Sequence, residues 1–192
     1  MENTFVCYAS LGYPDNINYI ISHAIEKIGD LDILSLDLDG NDYWILREAD
    51  LNKISIIVVE YNPLFGSKLE VTIPRDDNFD RTKKHFSWLY FGASIKAYIS
   101  LLNEKGFVFI GTNRAGNNAF FLKKNLEGDF PLKARSDLSD YTDWRVRESR
   151  SGVKSFLSGN ERVLVMHEMI LFDLVNGCDI TVGQVNSTFV IE

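Results

Sequence analysis

The chain has 192 residues, 45% of them hydrophobic and 24% charged, the composition of one ordinary globular domain. Twenty Lys plus Arg stand against twenty-seven Asp plus Glu, a formal net charge of −7 with no long basic run, which excludes a nucleic-acid backbone as the main partner. Cys7 and Cys178 are far apart, the longest apolar runs are strand-sized and the first residues lack the regions of a signal peptide, so a disulfide scaffold, a zinc site and a membrane span are excluded and a reducing, cytoplasmic setting is expected.

From Tyr13 to Gly29 the apolar residues Ile17, Ile20, Ile21, Ala24, Ile25 and Ile28 form the stripe of an amphipathic helix, with Pro14 suited to its first turn and Gly29 to its end. Asp32 to Leu38 (DILSLDL) reads as a buried strand running into the polar cluster Asp39, Gly40, Asn41, Asp42. Tyr43 to Leu51 predicts a short helix, and Ile54 to Glu60 (ISIIVVE) a second buried strand rich in β-branched residues. Strand, helix, strand at this spacing predicts a right-handed crossover between parallel strands. Residues 61 to 91 hold Pro63, Gly66 and Pro74, with at most one short strand around Leu69 to Ile73. A connection of that length inside a domain usually has a task, such as a lid or substrate loop. Gly92 to Lys105 resumes the helical period until Gly106, and Phe107 to Gly111 with Asn118 to Lys123 predicts a hairpin around residues 112–117, whose Gly111 and Gly116 read as turn residues. Arg162 to Leu174 is apolar and fits either a helix or a strand; an Asn176-Gly177 turn and a terminal β segment follow.

In an open α/β sheet ligands bind beyond the carboxyl ends of the parallel strands. Here one strand end delivers Asp37, Asp39, Gly40, Asn41 and Asp42, and the other delivers Glu60, Tyr61 and Asn62. Adjacent strands would bring several carboxylates to one rim, and hard oxygen donors of this kind suit magnesium or manganese, which can clamp and acidify a substrate hydroxyl. Asn41 and Asp42 carry a second reading as cap and turn residues of the following helix. Asp37 and Glu60 end apolar strands, where an unpaired carboxylate is costly. The spacing does not match an EF-hand. The histidines His23, His85 and His167 are scattered, and only His85 lies in the long loop. No nucleophile elbow, Walker loop or Gly-x-Gly-x-x-Gly is present. Arg145, Arg147 and Arg150 beside Trp144 form a small basic group that reads as a solvated face.

The ordered series YPDNIN, DILSLDLDGNDYWIL, IIVVEYNP, YFGASIKAYISLLNEKGFVFIGTNRAGNNAFFLK and WRVRESRSGVKSFLSGNER resembles the FkbM-like methyltransferases, in the branch with a DGNDYW loop, over residues 13 to 175. The resemblance implies a partial class I methyltransferase sheet, Rossmann-like and mostly parallel, ending in an antiparallel hairpin. The strand ending at Asp37 would be the fourth of seven, that ending at Glu60 the fifth, and the hairpin the last two. It also implies S-adenosylmethionine as methyl donor and a hydroxyl of a sugar or small natural product as acceptor. By position, Asp37, Asp39 and Gly40 would lie near the cofactor, and Asp37 and Glu60 would act as base or metal ligands with Asn62. Asn62, Tyr61 and His85 would contact the acceptor.

The glycine-rich loop and the ribose-binding acid that hold the cofactor in this fold have no counterpart. Three strands with their helices need roughly 75 to 90 residues at about 30 per βαβ repeat, and only 31 residues precede Asp32. The expectation is therefore an acceptor-side portion in residues 1–125 with an extension in 126–192. The chain would be a fragment whose cofactor half is missing, or that half would be supplied by another chain or lost, and Thr4 to Ala9 is a candidate replacement strand. The alternative is a non-catalytic assembly module derived from such an enzyme, a homo-oligomer or the companion of a partner chain that covers the cut sheet edge.

Overall fold

The apolar stripe of the first helix is realised between Ile17 and Ile28 (α1), with Ile17, Ile21 and Ala24 buried. Gly29, at a φ of 87°, ends it in a conformation that glycine adopts without strain. There follow β1 (Leu31–Leu36), α2 (Asp42–Glu48), β2 (Ile54–Glu60), β3 (Val71–Thr72), α3 (Arg81–Lys84), α4 (Ile95–Glu104), β4 (Phe107–Thr112) and β5 (Asn118–Lys123). Then come β6 (Glu148–Arg150), β7 (Val153–Ser155), α5 (Asn160–Leu164), β8 (Ile170–Asp173), β9 (Cys178–Thr181) and α6 (Val182–Ser187). The structure, a computed structural model, describes residues 16–29, 31–128, 135, 148–150, 153–155 and 160–187. The start of the first predicted helix, the segment Thr4 to Ala9 and the group Trp144, Arg145, Arg147 lie outside these residues, as does the side chain of Arg150.

The protein is α/β with a mixed four-stranded sheet in the order β1-β2-β5-β4. β1 and β2 are parallel, with Leu36 opposite Val59, as the strand–helix–strand spacing predicts. A mostly parallel sheet is not what forms: β2 and β5 are antiparallel, and so are β5 and β4. The reason is topological. The short turn after β4 forces β5 to reverse, and β5 then inserts beside β2 rather than at the outer edge, so it runs against both neighbours. Within the described residues β1 is an edge strand, with Ile33 exposed.

The main core joins α1, α2 and α4 to this sheet through Ile21, Ile45, Leu46, Ile57, Val59, Tyr98, Leu102 and Phe121. Ser94 starts α4 by accepting the Ala97 N–H at 3.2 Å, while its hydroxyl donates to the Leu69 carbonyl at 2.7 Å. A second antiparallel sheet, β3-β8-β9, takes its first strand from the connection between β2 and α4. The apolar segment Arg162 to Leu174 divides into the end of α5 and the strand β8, and β8 pairs with β3, placing Val71 opposite Asp173. Beneath this second sheet Phe65, Ile73, Leu89, Met166 and Leu171 form their own apolar cluster. Trp44 links the two layers, since its indole N–H donates to the Ile73 carbonyl at 2.9 Å and its ring packs on Phe172. No helix of the described residues is long and apolar enough to cross a membrane.

Candidate functional site

The loop that leaves β1 is shaped by its own side chains. Asp42 folds back so that its Oδ1 accepts the Leu38 N–H at 2.8 Å and its Oδ2 the Gly40 N–H at 2.9 Å. Burial pushes its carboxyl up to about 6, against the opposing pull of those backbone bonds. Asn41 pairs with the backbone of Asp76, donating from Nδ2 to the carbonyl at 2.6 Å and accepting the N–H on Oδ1 at 3.2 Å. The loop is thereby tied to the long connection across the site. Asp39 sits at a φ of 57°, a left-handed conformation that Asp tolerates better than most residues. Gly40 is packed tightly: a Cβ there would lie 2.4 Å from the Phe79 ring. Phe79 also lines a cleft of about 270 Å³ with Pro74, Tyr90 and Ile170.

Against this braced loop, Asp37, Asp39 and Glu60 each bring one carboxylate oxygen within 4.8 Å of the others. Asp37 and Asp39 are exposed, whereas Glu60 retains only 7% of its surface. Its Oε2 is buried and has no hydrogen-bond partner. Burial, reinforced by the Asp37 charge, pushes the Glu60 carboxyl up to about 8, with Arg81 opposing. Asp37 is raised by burial and by Asp39, again with Arg81 opposing. Just below, the Tyr98 hydroxyl is buried without a hydrogen bond, and its phenol is held neutral by burial and by Asp42 and Glu60.

The donor set suits a hard divalent ion: three carboxylate oxygens converge, and Glu60, the buried member, has an oxygen without a hydrogen bond. Asp37, Asp39 and Glu60 are thus the residues that would hold magnesium or manganese. Asn62 is engaged otherwise. It is fully buried, its Nδ2 donates to the carbonyls of Leu89 and Phe91 at 2.8 and 3.0 Å, and its Oδ1 accepts the Leu64 N–H at 3.0 Å. Its carboxamide fastens both ends of the long connection. Tyr61 is part of the main core, its phenol pushed up to about 12 by burial against a hydrogen bond from Thr112. His85 is on the long connection, with Nδ1 2.6 Å from the Ser87 hydroxyl; burial lowers its pKa and a backbone hydrogen bond to Val165 opposes that.

No protein-family model, curated protein or solved structure matches this chain.

Sequence reasoning missed the cation at the rim. Arg81 forms an ion pair with Asp39, lies 3.9 Å from Glu60 Oε2, donates from Nε to the Trp88 carbonyl and stacks 3.7 Å over the Phe91 ring. RTKK looks like a solvated charged turn, and the available signal was Asp80, whose side chain accepts the Thr82 N–H and caps α3.

Proposed function

We propose that the protein is the acceptor-side part of an S-adenosylmethionine-dependent O-methyltransferase acting on a hydroxyl of a sugar or small natural product. The observation that carries this reading is the convergence of Asp37, Asp39 and Glu60 at the ends of two parallel strands, with the buried Glu60 Oε2 lacking a hydrogen bond. Support also comes from the strand order. β4 and β5 form an antiparallel pair beside the parallel pair β1 and β2, in keeping with the terminal hairpin that the resemblance implies.

In this reading Glu60 receives the acceptor proton. Its carboxyl, pushed up to about 8, sits near the pH at which a general base is most effective. Asp37 and Asp39 orient the hydroxyl beside it, and positioning for in-line attack supplies much of the rate. Where a magnesium or manganese ion is held by the three carboxylates instead, Glu60 would serve as its ligand and the ion would acidify the hydroxyl. The methyl donor fits this chain less well, because the Phe79 ring packs against Gly40 and the Gly40 N–H is already donated to Asp42. In this reading a partner chain would supply the cofactor surface beyond the β1 edge. Calorimetric titration of the purified chain with S-adenosylmethionine, with and without magnesium, tests this. Silence up to millimolar ligand is the expected result, and heat at submillimolar ligand that grows with magnesium would show an autonomous site and overturn the partner-chain arrangement.

The β1 edge with its exposed Ile33 favours a second reading, a non-catalytic module that pairs with a second copy through that edge.

A further inference from the structure

Arg81 reaches the carboxylates from a different part of the chain, and its surroundings form a complete guanidinium site. The Asp39 carboxylate pairs with Nη1, the Trp88 carbonyl accepts from Nε, and the Phe91 ring lies 3.7 Å beneath Cζ. Only 18% of the side chain remains exposed. The same Nη1 stands 3.9 Å from Glu60 Oε2, too far for a hydrogen bond. It sits on the Asp39 side of the cluster and ion-pairs with the buried Glu60 oxygen without hydrogen-bonding it. A divalent ion bonds such oxygens at about 2.1 Å and cannot share them with the guanidinium.

We propose that Arg81 is an internal occupant of the carboxylate cluster, and that a divalent cation reaches Asp37, Asp39 and Glu60 only when Arg81 swings out with α3. The proposal rests on the metal-binding reading of this rim. Its hinge is visible in the backbone. Trp88 holds a φ of 59°, a conformation costly for a bulky side chain, and it is this residue's carbonyl that grips Arg81. The loop therefore stores strain in the occupied arrangement and releases it when Arg81 leaves. If the open form is a minor species, the apparent cation affinity is lowered by its population.

The test uses the full chain and aqueous Mn²⁺, with the free ion counted by its paramagnetic resonance signal. Arg81→Ala is expected to tighten manganese binding about tenfold, as an open fraction near one in ten implies. Lys84→Ala removes the same charge from the same helix, where Lys84 pairs with Asp76 rather than with the rim, and is expected to leave affinity within about twofold. Trp88→Gly relieves the left-handed strain, favours the occupied loop and is expected to weaken binding about threefold. Equal manganese affinity in the wild type and Arg81→Ala would overturn the gate while leaving the metal site standing. Binding by neither would overturn both. Tightening by Lys84→Ala as large as that by Arg81→Ala would reduce the effect to net charge and overturn the proposal. Should Arg81→Ala fail to fold, Trp88→Gly decides alone: weaker binding supports the gate and unchanged binding overturns it.

Discussion

Asp42 and Glu60 are both buried carboxylates at the rim of the parallel pair, one at the start of α2 and the other at the end of β2. They differ in what meets their oxygens. Asp42 accepts two backbone N–H groups, whereas Glu60 Oε2 accepts none. Burial alone therefore does not mark a reactive group; burial without hydrogen-bond satisfaction does. Asp42 holds the loop in shape, and Glu60 is left with an oxygen whose natural complement is a proton or a cation.

The comparison is most sharply broken at Asp42. Asp42→Ala leaves the Leu38 and Gly40 N–H groups unpaired and is expected to destabilise the protein by about 3 kcal/mol in denaturant unfolding at neutral pH. A loss below about 1 kcal/mol would show that the loop does not depend on it. The next effect has the opposite sign. The folded state holds the Glu60 proton up to about 8, against an ordinary value of 4.5. Stability from this group is fully present below the ordinary value and is lost as pH rises through about 8. Glu60→Gln should thus stabilise by about 2 kcal/mol at pH 8 and change little at pH 5. The difference in thermal melting between the wild type and Glu60→Gln from pH 6.5 to 8 reads the Glu60 contribution. A parallel pH profile for wild type and variant would remove Glu60 from its assigned role. The smallest stability effect belongs to Asp39, more than half exposed in its pair with Arg81. Asp39→Asn should shift stability by no more than about 1 kcal/mol while weakening manganese binding severalfold, which separates a rim ligand from a structural brace.

Much of this was legible in the sequence. The β-branched run Ile54 to Glu60 is β2 to the residue, and the carboxylates at the two strand ends do meet. The hairpin residues fall within one of their observed bounds. What was hidden depends on backbone geometry and on distant chain. The left-handed turn at Asp39 decides which of four neighbouring polar residues point back into the loop and which join the rim. Asn62 resembled a ligand because it follows a strand, yet the carbonyls of Leu89 and Phe91 claim its amide from nearly thirty residues away. Arg81 escaped notice because the aromatic face that seats it, Phe91, reads in sequence as ordinary core. The position of β5 in the sheet was equally silent, since hairpin signals fix the turn and not the neighbour.

The pairing of β3 with β8 carries a consequence for the order of assembly. Val71 and Asp173 are partners about a hundred residues apart, a late and entropically demanding closure. The carboxylates lie on segments that have left the ribosome long before β8 is made. The nascent chain can therefore hold its acidic rim together before the strand that clasps the start of its cover exists. During synthesis there is an interval in which the rim lacks that support.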